Sequence, residues 1–227
     1  MIGSWGRQQR VNITNSSSLK ASTSDARGSD VADMDDLRAG VLASLPEIAQ
    51  IQDPDLREKV VEAWALALSE TEFKRIEDIP PTGVPGSPAM LRGTQADHCR
   101  GVATMALGLV DGMEQVLGPI GVDRDILIAS GLCHDVGKPF EFSPRNQERW
   151  RSKPGTVGNP SIRHPAYGVH ISLTVGLPEA VAHSVGAHSM HAEGSFVTPS
   201  LENLIVQHAD IAFWKMLESA DLLERQD

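Results

Sequence analysis

An all-α bundle is the fold class this chain predicts, on three observations. Apolar residues recur at three- and four-residue intervals in one segment after another, no stretch sustains the period-two alternation of a half-buried strand, and Leu, Ala and Glu dominate between Pro/Gly-rich breaks. With 227 residues, 41% of them hydrophobic, the chain can bury a substantial core and fits one domain plus a tail better than two domains.

Each element follows in order. Residues 1–33 are rich in Ser, Asn, Thr, Asp and Gly, with Ser16-Ser17-Ser18 at their centre, and are expected to form a flexible tail ahead of a domain at 34–227. From Asp36, the series Leu37, Val41, Leu42 and Leu45 marks an amphipathic helix, and from Pro54 the series Leu56, Val60, Trp64, Ala67 and Leu68 marks a second. Neither stripe needs a role beyond packing. Pro80, Pro81, Pro85, Pro88 and three glycines exclude a continuous helix over 76–93 and imply a loop ordered by packing.

Thr94 with Asp97 forms a capping box, which puts His98 in the first turns of a helix running to about Leu117 through Val102, Met105, Leu109 and Val116. Asp123 opens the next helix, with Ile126, Leu127 and Leu132 inward and His134-Asp135 at its C-terminal end; Gly137 and Pro139 terminate it. Residues 139–162 read as a second Pro/Gly-rich connection carrying Arg145, Arg149, Arg151 and Lys153, and a connection of that length is expected to be functional or mobile. Three helices complete the chain: one from near Arg163 with His164, one from Pro178 to near His188, and one from about Pro199 to Leu223.

The formal net charge of −10 argues against a nucleic-acid groove, although local cations can still steer a small phosphate-bearing substrate. No run approaches eighteen apolar residues and the N-terminus lacks an apolar signal region, so no membrane partner and a cytoplasmic location are expected. Oligomeric state is left open. Cys99 and Cys133 each adjoin a metal-ligand type, which makes a disulfide conceivable; the reading adopted is two small buried thiols in a reduced compartment.

The chemistry concentrates in an ordered series: His98, His134, Asp135, His164, His188 and Asp210, with the central pair inside Gly131-Leu132-Cys133-His134-Asp135-Val136-Gly137-Lys138. A His-Asp dipeptide alone means little in a chain with eight histidines; its order and surroundings give it weight. The series resembles the HD superfamily of metal-dependent phosphohydrolases, whose skeleton is His, then His-Asp, then a distant Asp, each on a helix. The resemblance spans roughly residues 90–220 and implies an HD-domain helical bundle. Gly137-Lys138, His164-Pro165 with Gly168, and His188 are the additions found in members with two metals. Where the cyclic-dinucleotide branch reads His-His-Glu and then Gly-Tyr-Pro, this chain reads His188-Ser189-Met190-His191-Ala192-Glu193-Gly194, so that branch's substrate is not carried over.

By the resemblance, His98, His134, Asp135 and Asp210 hold one divalent transition metal, and Asp135 bridges to a second held by His164 and His188. Nitrogen and oxygen donors without thiolate suit Fe, Mn, Co, Ni or Zn. A water shared by two such cations loses its proton near neutral pH, which makes hydrolysis of a small phosphoester or nucleotide through a metal-bridging hydroxide the leading activity. The rivals are a mixed-valent diiron oxygenase and a hydrolase or hydratase of a C–N compound. Asp135 is catalytic in this scheme, and Lys138 is expected to hold a substrate phosphate or orient the nucleophile; without the resemblance it would read as a solvent-facing helix cap. Arg145 and Arg149 are candidates for an anion-gripping lid, and His191 for a substrate contact. His170, His183 and His208 are not ligand candidates: the first two are expected in the core or behind a ligand, and the third points away from Asp210.

Overall fold

The computed structural model describes residues 24–189 and 200–225, and its regular elements are all helical, as the apolar periodicity requires. In chain order the helices are α1 (Ser24–Ser44), α2 (Pro54–Ser69), α3 (Gln95–Leu117), α4 (Arg124–Cys133), α5 (Lys138–Phe142), α6 (Pro144–Ser152), α7 (Pro154–Val157), α8 (His164–Thr174), α9 (Glu179–Ala187) and α10 (Leu201–Ser219). Short 3₁₀ turns at Pro46–Gln50 and Ile76–Asp78 join them, and among the described residues there is no sheet.

α4 is the axis of the bundle. Leu127 to Cys133 are all buried, and α2, α3, α9 and α10 pack around it. That burial on every side explains why the segment is apolar nearly all round rather than striped. Gly131 lets α3 come this close: a Cβ there would lie 2.7 Å from the Ala103 Cα. On the opposite side the Trp64 indole of α2 donates to the Leu132 carbonyl at 3.0 Å, both groups buried. Val102, Ala106, Val110, Leu127, Val206 and Ala209 form a second, smaller apolar cluster between α3, α4 and α10.

Several sequence expectations are corrected here. α1 begins at Ser24, inside the expected tail, because no proline interrupts an Asp- and Ala-containing segment that continues the helix toward its N-terminus; residues 1–23 lie outside the described residues. Leu109 and Val116 are exposed, the buried face of α3 being His98, Val102, Ala106 and Val110. The stretch 139–162 is not a structureless connection. Two of its prolines start helices instead of breaking them, Pro144 and Pro154 each standing at a first helical position, where no amide hydrogen bond is lost. Ser143 caps α6 by accepting from the Asn146 amide at 3.4 Å. α10 stops at Ser219, and the chain beyond it turns back onto the proline-rich segment, the Leu91 amide donating to Leu222 O at 2.9 Å.

Candidate metal centre

The capping box forms as the sequence predicts. Thr94 Oγ1 accepts from the Asp97 amide at 3.2 Å and Asp97 Oδ2 accepts from the Thr94 amide at 2.9 Å, fixing where α3 starts and hence the depth of His98. His134 occupies the C-cap of α4 and Asp135 follows in the turn. His164 is the first residue of α8, His188 the C-cap of α9, and Asp210 lies midway along α10. Gly137 brings α8 against the His-Asp turn: a Cβ there would stand 2.1 Å from His164 O, so only glycine allows that approach.

Six side chains from five elements converge. His98, His134 and Asp210 form one group, and Asp135, His164 and His188 another, with the ligand-type atoms of each group within 4.8 Å of one another. Asp135 joins the two groups through its separate oxygens. Its Oδ2 lies 3.1 Å from His98 Nε2 and 3.2 Å from His134 Nε2. Its Oδ1 lies 3.3 Å from His164 Nε2 and 3.7 Å from His188 Nε2. Asp210 Oδ1, buried and without a hydrogen-bond partner, lies 3.4 Å from His98 Nε2.

The tautomers decide what this cluster can hold. His134 Nδ1 meets the Gly131 carbonyl and His188 Nδ1 meets the Val185 carbonyl, each at 2.7 Å; a carbonyl only accepts, so both rings carry their proton on Nδ1. His164 Nδ1 bonds the Glu141 carboxylate, with the same consequence. Three imidazoles held in this way direct Nε2 inward, among carboxylate oxygens and with His98 Nε2 3.0 Å from His134 Nε2. Once their inward protons leave, four imidazoles and two carboxylates offer the donors a divalent transition metal prefers. Burial pushes His188 down to about 3, which keeps it neutral. Burial alone would raise the Asp135 carboxyl, but the Lys138 ammonium and the His134 ring outweigh it and hold it well below the usual carboxylate range.

Lys138 stands beside the cluster and not at the solvent-facing cap that it would occupy without the resemblance. It is 1% exposed, and its ammonium donates to Thr82 O at 2.8 Å and Gln95 Oε1 at 3.2 Å while pairing with Asp135 Oδ2 at 2.8 Å. Two hydrogen bonds and one ion pair engage the ammonium against the protein side of the cluster, while Lys138 also lines the cavity there. Gln95 completes the arrangement by donating from Nε2 to Asp135 Oδ2 at 2.9 Å.

Sequence reasoning missed Gln95, although it stands three residues before His98 on the same helix face, a signal that could have found it. It also missed Glu141. That buried carboxylate accepts from the His164 amide at 2.9 Å and from its ring, and accepts from Arg163 Nε at 2.6 Å. His164 and Arg163 hold its pKa low against the cost of burial. Its signal was an acid between two phenylalanines, Phe140-Glu141-Phe142, where a solvated side chain is out of place.

The structure does not bring Arg145 and Arg149 to the cluster. Arg145 Nη2 donates to Glu70 O at 2.9 Å, and both arginines line a recess with Phe140, Asn146 and Tyr167 that shares no residue with the cavity at the cluster. The folding of 144–152 into a helix is what carries them away. His191 lies outside the described residues. His170 and His208 are exposed and His183 is half-buried, so the expected core position of His170 is not observed. Cys99 and Cys133 are free and buried.

The cavity at the cluster has a volume of about 230 Å³ and is lined in part by Asp135, His164, His188, Asp210, Arg163 and Trp214. A larger recess of about 870 Å³, beside Arg38, Leu45, Val61 and Glu62, lies on α1 and α2 and contains none of the converging ligand types. Size therefore does not locate the chemistry here; the donor set does. No helix is long and apolar enough to cross a membrane among the described residues.

The HD domain family matches residues 96–212, a span that contains all six converging side chains. The dihydroneopterin 2',3'-cyclic phosphate phosphodiesterase of Methanocaldococcus jannaschii is 31% identical over 186 residues, covering 75% of this chain and 68% of that protein. No solved structure matches. The chain belongs to the HD domain family and is a metal-dependent hydrolase.

Proposed function

We propose that this hydrolase is a binuclear phosphohydrolase acting on a small phosphoester, and that a cyclic phosphodiester is the substrate class to test first. One observation carries the two-metal reading: the two oxygens of Asp135 face two separate histidine pairs. A carboxylate can give one anionic oxygen to each of two cations, whereas a neutral imidazole serves one. His98, His134 and Asp210 would hold the first metal and His164 and His188 the second, with Asp135 between them. Two divalent cations supply activated water near neutral pH and offset the charge that develops on a phosphoryl group. The activity named for the relative from M. jannaschii supports the phosphodiester class, and the cavity's volume suits a small molecule.

The chain's own side chains prepare the site. Glu141, Gly131 O and Val185 O fix three imidazoles with Nε2 inward. Lys138 and Gln95 fix the Asp135 carboxylate from behind. Val84, Ile211 and Trp214 bring apolar surface to the cavity wall, which limits water around the reacting group.

The deciding experiment loads the protein separately with Mn, Fe, Co, Ni and Zn and assays bis(p-nitrophenyl) phosphate, nucleoside 2',3'-cyclic phosphates and a pterin 2',3'-cyclic phosphate under anaerobic conditions. Phosphoester cleavage without O₂ is the expected result. Turnover that requires O₂ with the iron form would instead support the diiron oxygenase, and no cleavage with any metal would end the phosphohydrolase reading.

A further inference from the structure

We infer that Arg163 is the residue that grips the substrate phosphate, an assignment that rests on the phosphohydrolase reading above. Arg163 is the N-cap of α8, one residue before His164, and its side chain is 20% exposed on the cavity lined by Asp135, His164, His188 and Asp210. Its Nε donates to Glu141 Oε1 at 2.6 Å, while the other oxygen of Glu141 accepts from the amide and ring of His164. One buried carboxylate thus fixes both a metal-ligand candidate and a guanidinium, and holds them in a set relation at the cavity.

A guanidinium offers five N–H donors in a planar fork. Glu141 takes the Nε donor, and among the described residues no hydrogen-bond partner takes Nη1 or Nη2. Those terminal groups match two oxygens of one phosphoryl group.

The competing cations are accounted for. Lys138 has its donors on Thr82, Gln95 and Asp135. Lys215 also lines the cavity, but its side chain is 72% exposed and pairs with Glu218 at 2.7 Å, so it is a solvated charge at the rim. Arg145 and Arg149 belong to the other recess. Asp135 and Asp210 would repel an incoming phosphate, and a guanidinium anchored beside them supplies positive charge in addition to that of the metals.

The alternative is that Arg163 serves only as a counter-charge for Glu141, and the test separates the two. Metal-loaded wild type, R163Q and R163K are titrated with inorganic phosphate by calorimetry, assayed for kcat and KM on a cyclic phosphodiester, and measured for metal content. Wild type should bind phosphate. R163Q should lose roughly ten- to a hundredfold in phosphate affinity and in kcat/KM with its metal content unchanged, and R163K, which keeps the charge but loses the fork, should fall between. Unchanged phosphate binding in R163Q overturns the assignment, as does a wild type that binds no phosphate. It also fails if R163Q loses metal while R163K restores both metal and full phosphate affinity. Should R163Q not fold, R163K decides: affinity equal to wild type rejects the assignment, and several-fold weaker binding at full metal content supports it. A wild type that binds phosphate through Arg163 yet cleaves no phosphoester would remove the phosphohydrolase reading and leave this anion site standing.

Discussion

At the residue scale, the centre depends on protons being kept off the inward nitrogens, and Glu141 does this for His164. Glu141→Gln would keep the volume but remove the charge, so the amide could present its NH₂ to Nδ1 and move the ring proton to Nε2. Loss of such a partner behind a ligand typically costs ten- to a hundredfold in metal affinity, so E141Q should weaken one metal by about that factor, read by competition with a chelator. An unchanged affinity would mean that His164 does not bind metal. Asp135→Asn makes the sharper demand, because one of its oxygens becomes an NH₂ that cannot face a cation. It should abolish turnover and lower metal content while the helical circular dichroism stays near wild type. The six candidate ligands could be read from the sequence because histidine is sparse in it and the two aspartates stand in a recognisable order with the histidines. Gln95, Glu141 and the Thr82 carbonyl could not be read so directly, since their roles exist only once α3, α5 and the proline-rich segment have come together around Asp135 and His164.

At the element scale, long helices with a regular apolar stripe were legible, α2 with Pro54 at its start among them, and the short helices within 139–162 were not. α2, α3 and α4 announce themselves through period and caps, and Asp53, Thr94 and Asp123 each accept from amides in the first turn that follows. In 139–162, Pro144 and Pro154, which signal a break from outside, become the first residues of short helices, held by the Ser143 cap and by packing such as that of Phe140 on Trp150, ring centroids 5.7 Å apart. Arg145 and Arg149 went astray for the same reason: their place depends on which way a short helix faces. The link between α2 and α4 is testable. Trp64→Phe removes the indole N–H from the buried Leu132 carbonyl, two residues before His134, and leaves a void beside it. The unpaired carbonyl and the lost volume together should cost about 2 to 4 kcal/mol in urea unfolding. A change under about 0.5 kcal/mol would show that α2 does not brace the site helix.

At the scale of the whole molecule, the bundle gathers its candidate ligands from separate helices. α3, α4, α8, α9 and α10 each carry at least one of the six donors or have one at their cap, so two bound cations would tie together five helices that otherwise meet mainly through apolar packing. The unfolded chain offers no such preformed cluster, and binding free energy is therefore folding free energy. A metal present at a hundred times its dissociation constant adds about 2.7 kcal/mol to stability. For a domain of this size, that corresponds to roughly 5 to 10 °C in Tm. The fully loaded protein should carry two ions per chain by elemental analysis, and exhaustive chelation should lower its Tm by at least the amount expected for one of them. In His164→Ala and His188→Ala the content should fall toward one ion, and chelation should then produce about half the shift, because His98, His134 and Asp210 still form a complete group. Asp135→Asn should behave differently and depress both sites, since it alone contributes to the two. A wild type that saturates at a single ion, with both histidine variants unchanged in content and in Tm, would show that the second histidine pair is a hydrogen-bonded part of the core and that the centre holds one metal.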